Sequence, residues 1–140
     1  MSGMSDYLEG QIIKYWFQND GAAAAKPATI YAALYTVLPT DASASGTEVT
    51  GGSYARVAIT NSAVNWAGPT ANDGTVTNGA AITFPAATAN WGTIVGVALY
   101  DAATVGNELW HGALTASKVI NSGDPALSFP IGAFSVQVDS

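Results

Sequence analysis

The run Thr93–Asp101, TIVGVALYD, is apolar on both of its alternating faces. Val95, Val97 and Leu99 fall on one side, and Ile94, Gly96, Ala98 and Tyr100 on the other. Successive side chains of an extended strand point to opposite sides of its sheet, so a strand with two apolar faces is stable only when both are covered. Asn90-Trp91-Gly92 precedes the run as a turn carrying an aromatic plug. A short loop follows and leads to a second strand, Glu108–Leu114, which holds Trp110 and the only histidine, His111. The two strands form the central hairpin of a β-rich core.

The rest of the chain reads around that hairpin. Ser5–Phe17 is the one helix. Asp6 caps it with Glu9 three residues on, Leu8, Ile12 and Tyr15 or Trp16 recur at helical spacing, and Asn19-Asp20-Gly21 stops it. Ile13 and Phe17 widen its apolar stripe beyond one docking face, so Leu8, Ile12, Ile13, Trp16 and Phe17 are the candidate interface residues. Residues 1–20 are therefore expected to act as an anchor, residues 21–28 as a small-residue linker, and residues 29–140 as the β domain. Thr29–Val37 reads as a strand with Tyr31 and Tyr35 opposite Ile30 and Leu34. Pro39–Ser53 reads as a polar surface loop, Tyr54–Thr60 as a half-buried strand, and Asn65–Asn78 as turns. Ala81–Phe84, Ser117–Ile120, Ala126–Phe129 and the alternation Phe134, Val136, Val138 supply further short strands. The expected fold is mainly β: a single antiparallel sandwich or barrel-like domain of about seven or eight strands with one short N-terminal helix.

Composition excludes several functions. Four basic residues stand against ten acidic ones, a formal charge of −6, so the clustered cations that displace counterions from nucleic acid are missing. Charged residues make up 10 %, well under the ~25 % of ordinary soluble domains, which points to surface hidden in an assembly. No apolar run approaches the ~20 residues of a membrane span, and the first residues lack the basic and apolar regions of a signal peptide. The product is expected to be made in the cytoplasm and stay there until it assembles.

Catalytic chemistry finds little footing. His111 has neither a cysteine nor a second histidine to work with, so it reads as a structural or interface residue, and neither a metal nor a cofactor is expected. Asp101 and Glu108 flank the hairpin tip, where a glycosidase pair is conceivable, but Asp101 at a turn is expected to accept backbone N–H groups. Arg56, the only guanidinium, should hold a carboxylate or carbonyls in place if it is partly buried. Trp66, Trp91 and Trp110 are expected in core or interface, with Trp66 the one candidate for contact with a host glycan.

Three segments also carry a resemblance: GTEVTGGSYAR (Gly46–Arg56), the turn Trp91-Gly92-Thr93, and LWHGALT (Leu109–Thr115). With the N-terminal SDYLEGQIIKYWF, they resemble a family of small virion proteins encoded among the structural genes of tailed bacteriophages and prophages, whose members are labelled tail-fibre or head-decoration proteins. The resemblance implies a non-enzymatic virion protein. The leading expectation is a capsid decoration or cement protein on the outside of the head, partnered by the major capsid protein or other virion proteins. Its mounting as a homo-oligomer, most simply a trimer, follows from the threefold positions such proteins occupy. The alternative is a tail-fibre or adaptor domain that contributes to glycan receptor binding. The chain shows no heptads, Gly-X-Y period or internal repeat, so it is too compact to be a fibre shaft alone.

Overall fold

A computed structural model describes residues 3–19, 21, 23–42, 45–68 and 74–138. After strand β1 (Gly3–Met4), helix α1 (Asp6–Ile13) runs directly into a π-helical turn, Lys14–Gln18. The strands that follow are β2 (Thr29–Val37), β3 (Thr47–Glu48), β4 (Val57–Thr60), β5 (Trp66–Ala67), β6 (Thr75–Asn78), β7 (Ile82–Thr83), β8 (Gly92–Tyr100), β9 (Glu108–Ile120), β10 (Ser128–Phe129) and β11 (Ser135–Gln137). All strand pairs are antiparallel. The main sheet runs β1-β9-β8-β2-β3, with β4 also paired to β2; β11-β6-β5 and β10-β7 form two small sheets.

The apolar run Thr93–Asp101 forms β8, held between β2 and β9 as its pattern requires. One face of the main sheet, with Ala32, Leu34, Ile94, Val97 and Leu99, packs against Trp66, Ile82, Phe84, Leu127 and Phe134 from the segments of the small sheets. Aromatic contacts thread this core: Phe134 packs on Trp66 at 6.3 Å, Trp110 at 6.0 Å and Phe129 at 5.5 Å between ring centroids. Trp91 is the plug expected of it: buried, it meets Tyr54 edge-on at 5.5 Å and donates its Nε1–H to the Gly52 carbonyl at 3.0 Å. The other face carries a smaller cluster, Ala33, Tyr35, Ala98 and Tyr100, flanked by Tyr31.

Several expectations need correction. Ser5, not Asp6, caps α1, its side chain accepting the Leu8 N–H at 3.2 Å. The Asn19 stop holds, with Asn19 left-handed at φ 47°. The Pro39–Ser53 stretch contributes β3, and Asn65–Asn78 contributes β5 and β6, raising the strands among the described residues to eleven. Ser117–Ile120 and Glu108–Leu114 are one strand, β9, interrupted by a bulge. Between the pairs Ile94–Lys118 and Gly96–Ala113 the ladder steps five residues on β9 against two on β8. That irregularity resets the alternation, so Ile94 rather than Val95 joins Val97 and Leu99 in the main core. Asn78, read as part of a turn, is a buried strut: its Nδ2 donates to the Ala80 and Pro130 carbonyls, and its Oδ1 accepts the Phe134 N–H at 2.8 Å.

Leu99→Ala should cost ~2–5 kcal/mol through cavity formation, and Val95→Ala markedly less. Gly96→Ala places a Cβ 2.2 Å from Leu38 Cδ2 and 2.7 Å from the Gly112 carbonyl, so overpacking should cost ~1–3 kcal/mol. Chemical denaturation of the three variants checks the order; Val95→Ala as damaging as Leu99→Ala would displace the bulge.

Candidate functional site

Two places carry the side chains that sequence reasoning singled out: a closed polar network on the second face of the main sheet, and an exposed aromatic helix end.

The network centres on Arg56, which is 6 % exposed in its side chain. Its Nε and Nη2 grip the Glu48 carboxylate in a two-pronged pair, each at 2.8 Å. Nη1 donates to the carbonyls of Ala102 and Val105 at 2.8 and 2.9 Å. The guanidinium also lies over the Tyr100 ring, 3.8 Å from its centre. Arg56 thus holds both a carboxylate and carbonyls, and ties β3 and the β8–β9 loop down over Tyr100. Tyr100 and Tyr35 share a hydrogen bond between their hydroxyls. Tyr54 accepts the Leu34 N–H and donates to Glu48, each at 2.9 Å. Burial lifts the phenols of Tyr35, Tyr54 and Tyr100 above their ordinary range. Burial alone would lower Arg56, but the hydrogen bonds and charge of Glu48 outweigh it and hold the guanidinium above its usual value.

Beside this network His111 is 2 % exposed. Its Nδ1 meets Glu108 Oε1 at 2.7 Å, and its Nε2 stands 3.5 Å from Asp41 Oδ1. A second irregularity creates the pair: Leu99 stands opposite Trp110 and Tyr100 opposite Glu108, leaving Leu109 as the extra residue. Residues three apart on a regular strand face opposite ways; the bulge puts Glu108 and His111 on one side. Leu109 and Trp110, two large apolar neighbours between two polar residues, are the break in alternation that could have signalled it. The Ser5 hydroxyl donates to the Glu108 carbonyl, the Ser5 N–H to the Leu109 carbonyl at 3.0 Å, and the Asp6 N–H to the Asp41 carbonyl at 2.9 Å, so the N-terminal segment is latched here.

Asp101 and Glu108 do not converge as a catalytic pair. Asp101 accepts the Asn107 backbone N–H at 2.7 Å and its side-chain amide at 2.8 Å, closing the loop as a turn carboxylate does. No group of three or more acidic or imidazole side chains among the described residues is placed to hold a metal ion. Trp66 is buried at 8 % exposure against Phe134, so its ring is not presented to a glycan.

The helix end is the opposite case. Leu8 and Ile12 are half-buried, and Leu8 packs on the main core. Ile13, Trp16 and Phe17 are 50, 72 and 82 % exposed, joined by Tyr15 at 67 %. The π-helical turn carries these rings, with Tyr15 and Trp16 edge to face at 5.4 Å. Exposed side chains of this size grouped on one surface are the kind of patch that interaction sites use.

A family model described as podophage GP4 fiber I protein gp80 matches residues 3–137. The chain belongs to this family. It is a bacteriophage virion structural protein, as the resemblance implied. No curated protein matches the chain. Within the chain, the three segments that carried the resemblance build the closed network and its surroundings: Gly46–Arg56 supplies Glu48, Tyr54 and Arg56, Trp91 bonds to Gly52, and Leu109–Thr115 carries His111. None of the described helices is long and apolar enough to cross a membrane.

Arg56→Ala should cost ~3–5 kcal/mol, because it leaves Glu48 and two loop carbonyls without their donor, and Arg56→Lys should recover only part of that. Denaturant midpoints of the two variants check it. A pH prediction follows from the phenols. Their folded pKa values lie above the unfolded value of about 10, so the stability they contribute is whole below pH ~10 and is lost as pH rises past it. Titration followed at the phenolate absorbance should show at least three of the six tyrosines ionising late, with unfolding releasing them together.

Proposed function

We propose that the chain is a non-enzymatic mounting subunit of a phage fibre, joined to other virion proteins and to copies of itself through the aromatic end of α1. The observation that carries this is the pairing of a β domain closed by its own polar clamp with Ile13, Tyr15, Trp16 and Phe17 left open to solvent. Such rings are costly to leave in water and are typical anchors of protein interfaces. The family description names a fibre, which favours a fibre station over the decoration of the head. The chain has no shaft-forming repeat, so its part is that of a compact module at a joint. A closed ring of copies, a trimer being the simplest case, would hide the apolar patch and suits a surface so poor in charge.

The competing station is the outside of the head, with the major capsid protein as partner. Immunogold labelling of intact particles with antibody to the chain separates the two. Gold on fibres is the expected outcome; gold spread over the faces of the head would return the chain to capsid decoration.

A further inference from the structure

Asn78-Gly79 is the only Asn-Gly pair in the chain, and the fold requires both residues. Asn78 is 1 % exposed and uses both ends of its side-chain amide. Its Nδ2 donates to the carbonyls of Ala80, Phe129 and Pro130 at 2.9, 3.3 and 3.0 Å, and its Oδ1 accepts the Phe134 N–H at 2.8 Å. A short side chain that carries donor and acceptor together serves both sets of partners. Glycine must follow, because a Cβ at position 79 would stand 1.9 Å from the Val64 carbonyl oxygen. The same pair is chemically weak in an unfolded chain. With no side chain on the following residue, the backbone nitrogen of Gly79 swings freely onto the side-chain carbon of Asn78.

We propose that Asn78 is a site of spontaneous deamidation, shut in the folded chain and open in the unfolded one, and that the reaction bars the chain from refolding. The Gly79 nitrogen gives up its proton and bonds to Asn78 Cγ, the Cγ–Nδ2 bond breaks, and ammonia leaves. Water then opens the cyclic imide, at one carbonyl to give aspartate and at the other to give isoaspartate. One water is taken up and one ammonia released, with nothing oxidised or reduced. The fold blocks the first step at both reacting atoms. The Gly79 N–H is committed to the Asn65 carbonyl at 2.7 Å, so loss of its proton would set an anion against an oxygen. The Asn78 amide is pinned by four backbone groups, so its carbon is not free to turn toward that nitrogen. The product also fails where the amide succeeds. A carboxylate has no N–H to offer, so three carbonyls lose their donor and a buried charge faces their oxygens. The isoaspartate form adds a methylene to the backbone of β6 and upsets its register with β5 and β11. Asn78 seats Phe134 by two bonds, backbone N–H to carbonyl and Oδ1 to N–H, and Phe134 packs on Trp66, Trp110 and Phe129. Losing one amide therefore loosens the centre of the main core. A copy that folds promptly is protected, whereas one that lingers unfolded loses its way back.

The test holds the full chain in concentrated guanidinium chloride at mildly alkaline pH, beside a folded sample in the same buffer without denaturant. At intervals the denatured sample is diluted, native and non-native fractions are separated by gel filtration, and the peptide containing residues 78 and 79 is read by mass spectrometry. Deamidation at Asn78 should run at least roughly a hundredfold slower in the folded sample, since it must pass through the opened chain. Refolding yield should fall in step with it, and the deamidated peptide should collect in the non-native fraction. Asn78→Asp, refolded from denaturant without ageing, should give roughly a tenth of the wild-type yield or less. Equal rates in the folded and denatured samples would overturn the site. So would deamidated chains sharing the native fraction in proportion, or Asn78→Asp refolding as well as wild type. A falling yield with the Asn78 amide still intact would also overturn it, and would assign the loss to aggregation.

Discussion

The structure depends on covering β8 from both sides. A central strand with two apolar faces forces the chain to build two layers over one sheet, and this chain builds them from different materials. The larger face receives an aromatic core drawn from the small sheets. The smaller face has only alanines and tyrosines to offer, too little volume for a second apolar layer, and is closed by Arg56 acting on the chain segments around it. A buried guanidinium is tolerable when most of its donors are engaged, as four of the five are here. Here they reach one carboxylate and two carbonyls, while the flat face of the group rests on Tyr100. The clamp substitutes directed hydrogen bonds for apolar area on the side of the sheet where apolar area is scarce.

That division explains what could be read in the sequence. The bounds of β2 and the placing of Tyr31 and Tyr35 on the face opposite Ile30 and Leu34 were legible because side chains along an uninterrupted strand alternate. The helix was legible from spacing, apart from its cap, because Ser5 and Asp6 are both good capping residues and only the pairing of β1 with β9 decides between them. What failed was parity. Val95 and Ile94 exchanged roles, and Glu108 came to lie beside His111, because two irregularities in the β8–β9 ladder reset the alternation, and only the second leaves a sign in the sequence, at Leu109 and Trp110. A bulge costs one residue locally but reverses every side chain beyond it, so a small misreading of register becomes a large misreading of the site. Two of the two-residue strands were illegible for another reason: β3 and β5 are too short to show a period and are held by a longer partner strand.

The site was legible where chemistry is scarce. A single arginine in a chain of low charge has few ways of being buried, so its role as a holder of carboxylate and carbonyls could be anticipated without knowing which ones. A tryptophan is different, since burial and presentation to a ligand both suit it. Trp66 sits next to a turn-rich stretch in sequence yet packs on Phe134, which arrives from 68 residues further along the chain, a contact that local pattern cannot reveal.

The division between closed and open surface bears on how such a chain serves a particle. A subunit that folds before it meets its partners needs a core complete within one copy. The Arg56 clamp and the N-terminal latch at Ser5 achieve this with contacts internal to the chain. In the proposed assembly the surface used is one the fold does not need, the π-helical turn at the far end of a helix whose first turns are already docked through Tyr7 and Leu8. On that proposal fold and association rest on different residues. Trp16 and Phe17 lie open to solvent, so a change there leaves the core's contacts intact, whereas a change at Arg56 breaks contacts that the fold itself uses.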